Sequence, residues 1–167
     1  ASGYLGELIR YQREGGLNVP VLNANNLWQS VEGEIDGWSG SGELLGTMRQ
    51  LGAVRADRPK MVVGFEIGQR PIFGRSGQAA LSPWTIQRRL AEVLAGGGQF
   101  TVDPAVGGGV FGFQAGRDAD SVDGFYSSGD DGSAPVLATG APSASFQAVR
   151  RVSTFASRFG RLFANLD

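Results

Sequence analysis

The run Pro59-Lys60-Met61-Val62-Val63-Gly64-Phe65-Glu66 constrains this chain more than any other stretch. Met61, Val62, Val63 and Phe65 make a near-continuous apolar segment, which is how a strand buried on both faces reads. Strands of that kind belong to parallel sheets covered by helices. The run delivers one carboxylate, Glu66, at its far end, ahead of a glycine-rich turn. The C-terminal ends of parallel strands are where α/β enzymes gather catalytic groups, so Glu66 is a candidate functional residue. The alternative is a strand-end Glu that simply points into water.

The flanking sequence supplies further strands and the helices to cover them. Leu5, Leu8, Ile9 and Gln12 keep helical spacing over Tyr4 to Arg13, and Gly15-Gly16 stop that helix. Leu17 to Leu22 reads as a buried strand, with Pro20 tolerable near a strand start or at an edge. Asn23, Asn25, Asn26 and Trp28 follow at its C-terminal end. Gly33 to Trp38 reads as a short second strand. The spacing of Leu44, Leu45, Met48 and Leu51 predicts a helix over Ser41 to Leu51, and Asp57-Arg58-Pro59 leads into the strand that ends at Glu66. Ser82 is a good N-cap and Pro83 suits a first helical position, so a helix is expected from Pro83 to Ala95, with Leu90, Val93 and Leu94 inward. Gly96-Gly97-Gly98 ends it. Gln99 to Val106 is the next strand, broken into Gly107-Gly108-Gly109, and a polar loop follows from Gly116 to Ser133. Phe146, Val149, Val152, Phe155, Phe159 and Leu162 form an apolar stripe on a last helix from Ser145 to Phe163.

Helix, strand, strand, helix, strand, helix, strand, helix is an α/β order with parallel strands. No internal repeat and no linker divides the chain, so residues 1–167 are read as one domain. Four strands with covering helices make half a barrel, and 167 residues fall short of the roughly 250 of a complete one. The outer strands of a half barrel leave unpaired backbone edges, so further polypeptide is expected to complete the sheet.

Composition narrows the chemistry. A 41% hydrophobic and 10% aromatic content is enough for a real core. The net charge of −1 gives no electrostatic reason to expect nucleic acid or an anionic membrane as partner. No apolar run approaches the 18 or so residues of a membrane span. The first residues carry neither a basic region nor an apolar one, so no intact secretory signal is read there, which leaves export open. There is no cysteine and no histidine. A thiolate metal site, a disulfide framework and a Ser-His-Asp triad are thus all excluded. Acid–base chemistry falls to Asp, Glu, Tyr or Lys, and no cofactor is expected.

Four segments, in order, resemble the C-terminal half of the catalytic barrel of the family 35 glycoside hydrolases, the β-galactosidase family. Tyr4-Leu5 through Val19-Pro20-Val21-Leu22 is similar to the helix and fifth strand that follow that family's Asn-Glu acid/base motif. Asp57-Arg58-Pro59-Lys60-Met61-Val62 through Glu66 resembles the seventh strand, which bears the nucleophile. Gly96-Gly97-Gly98-Gln99-Phe100 through Gly107-Gly108-Gly109-Val110-Phe111-Gly112-Phe113 resembles the eighth strand and its Gly-Gly-Thr-Asn-Phe-Gly loop. Asp131 through Ala134-Pro135-Val136-Leu137, then Gly140-Ala141-Pro142, is similar to the segment that precedes the closing helix. The departures are specific. The Asn-Glu pair is missing, Glu66 stands two residues beyond the usual nucleophile offset, where Gly64 falls, and Val106 replaces a usual His. Gly109-Val110 stands for Thr-Asn, and Asp103 falls where many relatives have Tyr. An even shift keeps a side chain on one strand face, so Glu66 is expected to point inward.

The resemblance implies an α/β fold that is the C-terminal half (strands 5–8 with helices) of a TIM-type (β/α)8 barrel. It implies retaining hydrolysis of terminal β-glycosides by two carboxylates, with Glu66 as nucleophile. The second carboxylate would come from an N-terminal half-barrel polypeptide carrying the Asn-Glu motif, or from a larger assembly, so this chain alone is expected to be inactive. An extracellular or periplasmic location is what the resemblance favours. Asn23, Asn25, Asn26, Trp28, Trp38 and Asp103 are the candidate sugar contacts. The bland alternatives are turn-forming asparagines, packed tryptophans and a structural Asp103. A non-catalytic scaffold or glycan-binding subunit is the competing function. Gly107-x-Gly109-x-x-Gly112 matches a dinucleotide fingerprint but is followed by a polar loop, not a helix. Arg150, Arg151, Arg158 and Arg161 are read as a solvated face of the last helix.

Overall fold

The computed structural model describes residues 2–27, 31–67, 72–73, 80–109, 114–117, 124–126 and 134–163. Among the described residues the elements run in the order α1 (Ser2–Glu14), β1 (Val21–Asn23), β2 (Glu34–Trp38), α2 (Leu44–Val54), β3 (Met61–Glu66), α3 (Pro83–Ala95), β4 (Gln99–Asp103) and α4 (Ala144–Phe163). The strands form one all-parallel, curled sheet in the order β1-β2-β3-β4, so sequence neighbours are spatial neighbours throughout. That arrangement is compatible with half of a (β/α) barrel. Among the described residues, no helix is long and apolar enough to cross a membrane.

One face of the sheet carries the core. Val62, Phe65 and the following Ile67 are fully buried against Leu44, Met48 and Leu51 of α2, Ile86, Leu90 and Val93 of α3, and Ala148 and Val152 of α4. Each such side chain contributes about 1.5–3 kcal/mol relative to exposure. The helix starts follow from local chemistry. Ser82 accepts the Thr85 N–H at 3.1 Å with Pro83 in the first turn. α2 has no cap of its own, and Glu92, reaching across from α3, accepts the Leu44 N–H at 3.3 Å. The Gly96-Gly97-Gly98 turn is held tightly against α2. A Cβ on Gly98 would lie 2.5 Å from Met48 Sδ, and Gly97 has φ +71°.

Several boundaries differ from expectation. The first strand shrinks to Val21–Asn23, because Pro20 has no N–H to give a ladder. The last strand stops at Asp103 instead of Val106, since Pro104 interrupts it for the same reason; Val106 forms only an isolated bridge to Val136. α2 starts at Leu44 and continues to Val54. On α4 the buried line is Ser145, Ala148 and Val152, while Phe155, Phe159 and Leu162 of the expected inward stripe are exposed. Phe155 sits beside Leu94 and Ala95 of α3 at the edge of a groove, and Phe159 and Leu162 follow it toward the C-terminal end of α4.

β3 also contains an extra residue. Val62 is opposite Phe100 but Phe65 is opposite Val102, so three steps on β3 match two on β4. Gly64 takes φ +88° there, the left-handed conformation of a glycine β-bulge. Its N–H leaves the ladder and donates to Thr101 Oγ1 at 2.9 Å. The simple two-step alternation expected from Gly64 to Glu66 is broken, because the bulge restarts the count at Phe65, yet Glu66 still ends on the face opposite the helices. Phe65 and Ile67 join the core and Glu66, between them, is exposed on the opposite face.

Candidate functional site

The bulge delivers Glu66, at the C-terminal end of β3, to the face opposite the core. Its register partner is Asp103, the last residue of β4. Neighbouring strands lie about 4.7–4.9 Å apart, and register-paired residues share a face, so two exposed carboxylates stand side by side. Thr101 lies two residues before Asp103 on the same face, exposed, with its hydroxyl oxygen committed to the Gly64 N–H. Such a pair accepts hydrogen bonds from several hydroxyl groups of one ligand.

The strand ends around it are tied together. Asn26, at φ +54°, accepts the Ser39 N–H at 2.7 Å and donates to the Ser39 carbonyl at 3.3 Å, which fixes the loop after β1 to the end of β2. The Gly40 N–H donates to the Gly64 carbonyl at 3.3 Å, joining that end to the bulge. Asn26 therefore braces the rim with both ends of its amide. Asn25 is half-buried in the same turn.

Other candidates go elsewhere. Asn23 is paired with Asp36, and its Nδ2 donates to Glu34 Oε2 at 2.8 Å. Asp36 is in turn bound by Arg55 of the α2 C-cap, whose Nε lies 2.6 Å from Asp36 Oδ2. This polar cluster belongs to the helix-covered face, not the face of Glu66. Trp38 is paired with Val62 and packs against the core on that same side. Strand alternation is the reason: Glu34, Asp36 and Trp38 share one face, while Gly37 meets Val63 on the other, where a Cβ on Gly37 would lie 2.7 Å from Val63 Cγ2. Trp28 lies outside the described residues, as do Gly112, Phe113 and Asp131.

Glu34 and Asp36 are 5% and 4% exposed, and Asp36 Oδ1 has no hydrogen-bond partner among the described residues. The Asp36 carboxylate holds the Arg55 guanidinium even further above its ordinary value. Among the described residues, no group of three or more His, Cys, Asp or Glu side chains could hold a metal ion.

Sequence reasoning missed an aromatic feature. Beyond the C-terminal ends of β3 and β4, Ile72 bridges to Tyr126, the Phe73 N–H donates to the Phe125 carbonyl at 2.7 Å, and Arg117 bridges to Phe125. Phe73 and Phe125 are exposed. The polar composition around Phe125-Tyr126 hid these residues, although aromatics inside a Gly/Ser/Asp-rich loop are a legible signal.

No protein-family model matches the sequence, and a comparison with curated proteins gives no match.

Proposed function

We propose that this chain is the C-terminal half of a β-galactosidase-like (β/α)8 barrel and supplies the nucleophile for retaining cleavage of terminal β-glycosides. The observation that carries the reading is the pairing of Glu66 with Asp103 at the C-terminal ends of adjacent parallel strands, on the face opposite the core that α2, α3 and α4 cover. Catalytic carboxylates occupy that position in barrel enzymes. The Glu66 carboxylate attacks the anomeric carbon as the bond to the leaving oxygen breaks, and a carboxylic acid of the completing half protonates that oxygen. The same group, now a carboxylate, takes a proton from water, which displaces Glu66 and releases the sugar. The two carboxyl groups would stand about 5–5.5 Å apart. Asp103 would accept hydrogen bonds from the sugar hydroxyls and so position the ring.

The test uses the complete assembly with an aryl β-galactoside and a 2-fluoro-glycoside trap. Turnover, abolished by Glu66→Gln, with the trap attached to Glu66 by mass spectrometry, supports the reading. Turnover that survives Glu66→Gln, or a label on another residue, rejects it. A second reading, a glycan-binding subunit without chemistry, is favoured by the exposed Phe73 and Phe125 on the bridged loops, since an aromatic face stacks on a pyranose without any catalytic group. Saturable sugar binding with no turnover in wild type would select it.

A further inference from the structure

We infer that the groove between α3 and α4, continued by the exposed end of α4, is a docking surface for an amphipathic helix with acidic residues beside its apolar stripe. The inference does not depend on the role of Glu66.

The groove has a volume of about 410 Å³. Ala91, Leu94 and Ala95 of α3 and Val152 and Phe155 of α4 line it. Small residues on one wall allow a backbone to approach closely, which suits a ridge of side chains from another helix. Beyond the groove the apolar surface continues along α4. Phe155 and Phe159 are 46% and 43% exposed and touch each other, with ring centroids 5.0 Å apart; Leu162 continues the line. Residues at such three- and four-residue spacings form one face.

Charge selects the occupant. α4 carries Arg150, Arg151, Arg158 and Arg161 and no Asp or Glu in its 20 residues. Arg151 precedes Phe155 by four positions and Arg158 follows it by three, so both flank the aromatic edge on the helix surface. No ion pair among the described residues engages Arg150, Arg151 or Arg158. A partner stripe bordered by carboxylates would meet apolar with apolar and guanidinium with carboxylate. A second copy of this chain fits less well: α1 exposes Tyr4 and Tyr11, but its two acids, Glu7 and Glu14, are already paired with Arg10. A lipid surface fits less well too, because it would engage only the protruding Phe159 and Leu162 and leave unfilled the recess lined by Ala91, Leu94, Ala95 and Val152, which the side chains of a partner helix can enter.

The probe is a synthetic amphipathic peptide of about 18 residues, some 27 Å as a helix, with a Leu stripe bordered by Glu. The expected result is saturable binding by fluorescence anisotropy that weakens as salt rises. Phe155→Ser with Phe159→Ser should weaken it at least about tenfold, and Arg151→Gln with Arg158→Gln should lower affinity and flatten the salt dependence. These side chains are exposed, and unchanged circular dichroism confirms that each variant is folded. Absence of binding overturns the inference, as does equal binding of a peptide with Gln in place of Glu. So does tight binding to phosphatidylserine vesicles with none to the peptide, or self-association in sedimentation that the Phe155/Phe159 variant abolishes.

Discussion

The sheet has two faces built to different standards. Toward α2, α3 and α4, Val62, Phe65 and Ile67 exclude water completely and every neighbouring helix contributes a buried stripe. On the reverse face Leu22 remains 41% exposed, Gln99, Thr101, Glu66 and Asp103 are exposed, and Ile35, Met61 and Val63 are half-buried. A face that mixes aliphatic side chains near the strand starts with carboxylates at the strand ends is patterned for a ligand above and packing below. The contrast teaches that the described helices finish one layer, while the other mixes aliphatic and carboxylate side chains that no described helix packs against.

Truncating Phe65 to Ala should test the finished side hardest. Deletion of a fully buried aromatic costs about 3–5 kcal/mol, read as a lower urea midpoint at unchanged slope. Arg55→Ala comes next. It leaves the buried Asp36 carboxylate without its cation; thermal unfolding should show a lower midpoint, and Arg55→Lys should restore part. Glu92→Gln is smaller, under about 1 kcal/mol, because Gln keeps an acceptor for the Leu44 N–H and loses only the charge that Arg88 and Arg89 pair with. Burial raises the Glu92 pKa, but hydrogen bonds from Arg89 and the Leu44 N–H and the charges of Arg89 and Arg88 outweigh it, leaving the group below its ordinary 4.5. A depressed carboxylate stabilises the fold above its unfolded value. That contribution disappears as pH falls below about 4.5, so acid unfolding of the Glu92→Gln variant should be less steep. The smallest effect is expected on the open face, where Leu22→Ser should change the isolated chain by under about 0.5 kcal/mol. A large loss from Leu22→Ser would show that the face is already covered and break the comparison.

The elements themselves were legible in the sequence. Periodicity and caps located all four helices, and Ser82-Pro83 with Gly96 bounded α3 at both ends. The parallel sense of β2, β3 and β4 followed from the helices between them, whereas β1 and β2 have no described helix between them. The faces were harder to read. Trp38 and Asn23 look like binding residues in a list of polar and aromatic positions, but two-residue alternation places them with Val62 and Asp36. Asp103 was singled out because it falls where many members of the resembled family have Tyr, while the end of the strand at that residue, before Pro104, was not read. Glu92 as the cap of α2 was not legible, since it comes from 48 residues away and no local pattern encodes a contact at that range. The facing of Phe73 and Phe125 across two loops was hidden for the same reason.

Gly64 makes strand β3 behave as two short strands out of phase, spliced at one atom-poor joint. Any residue with a Cβ there would be strained at φ +88°, and relaxing to ordinary extended backbone would rotate everything downstream by half a turn. Glu66 would then face the oily layer, and Phe65 and Ile67 would face water. The chemistry of the rim and the integrity of the core are therefore hostage to the same missing methyl group, so a loss of stability and a loss of the carboxylate's placement should always be inherited together.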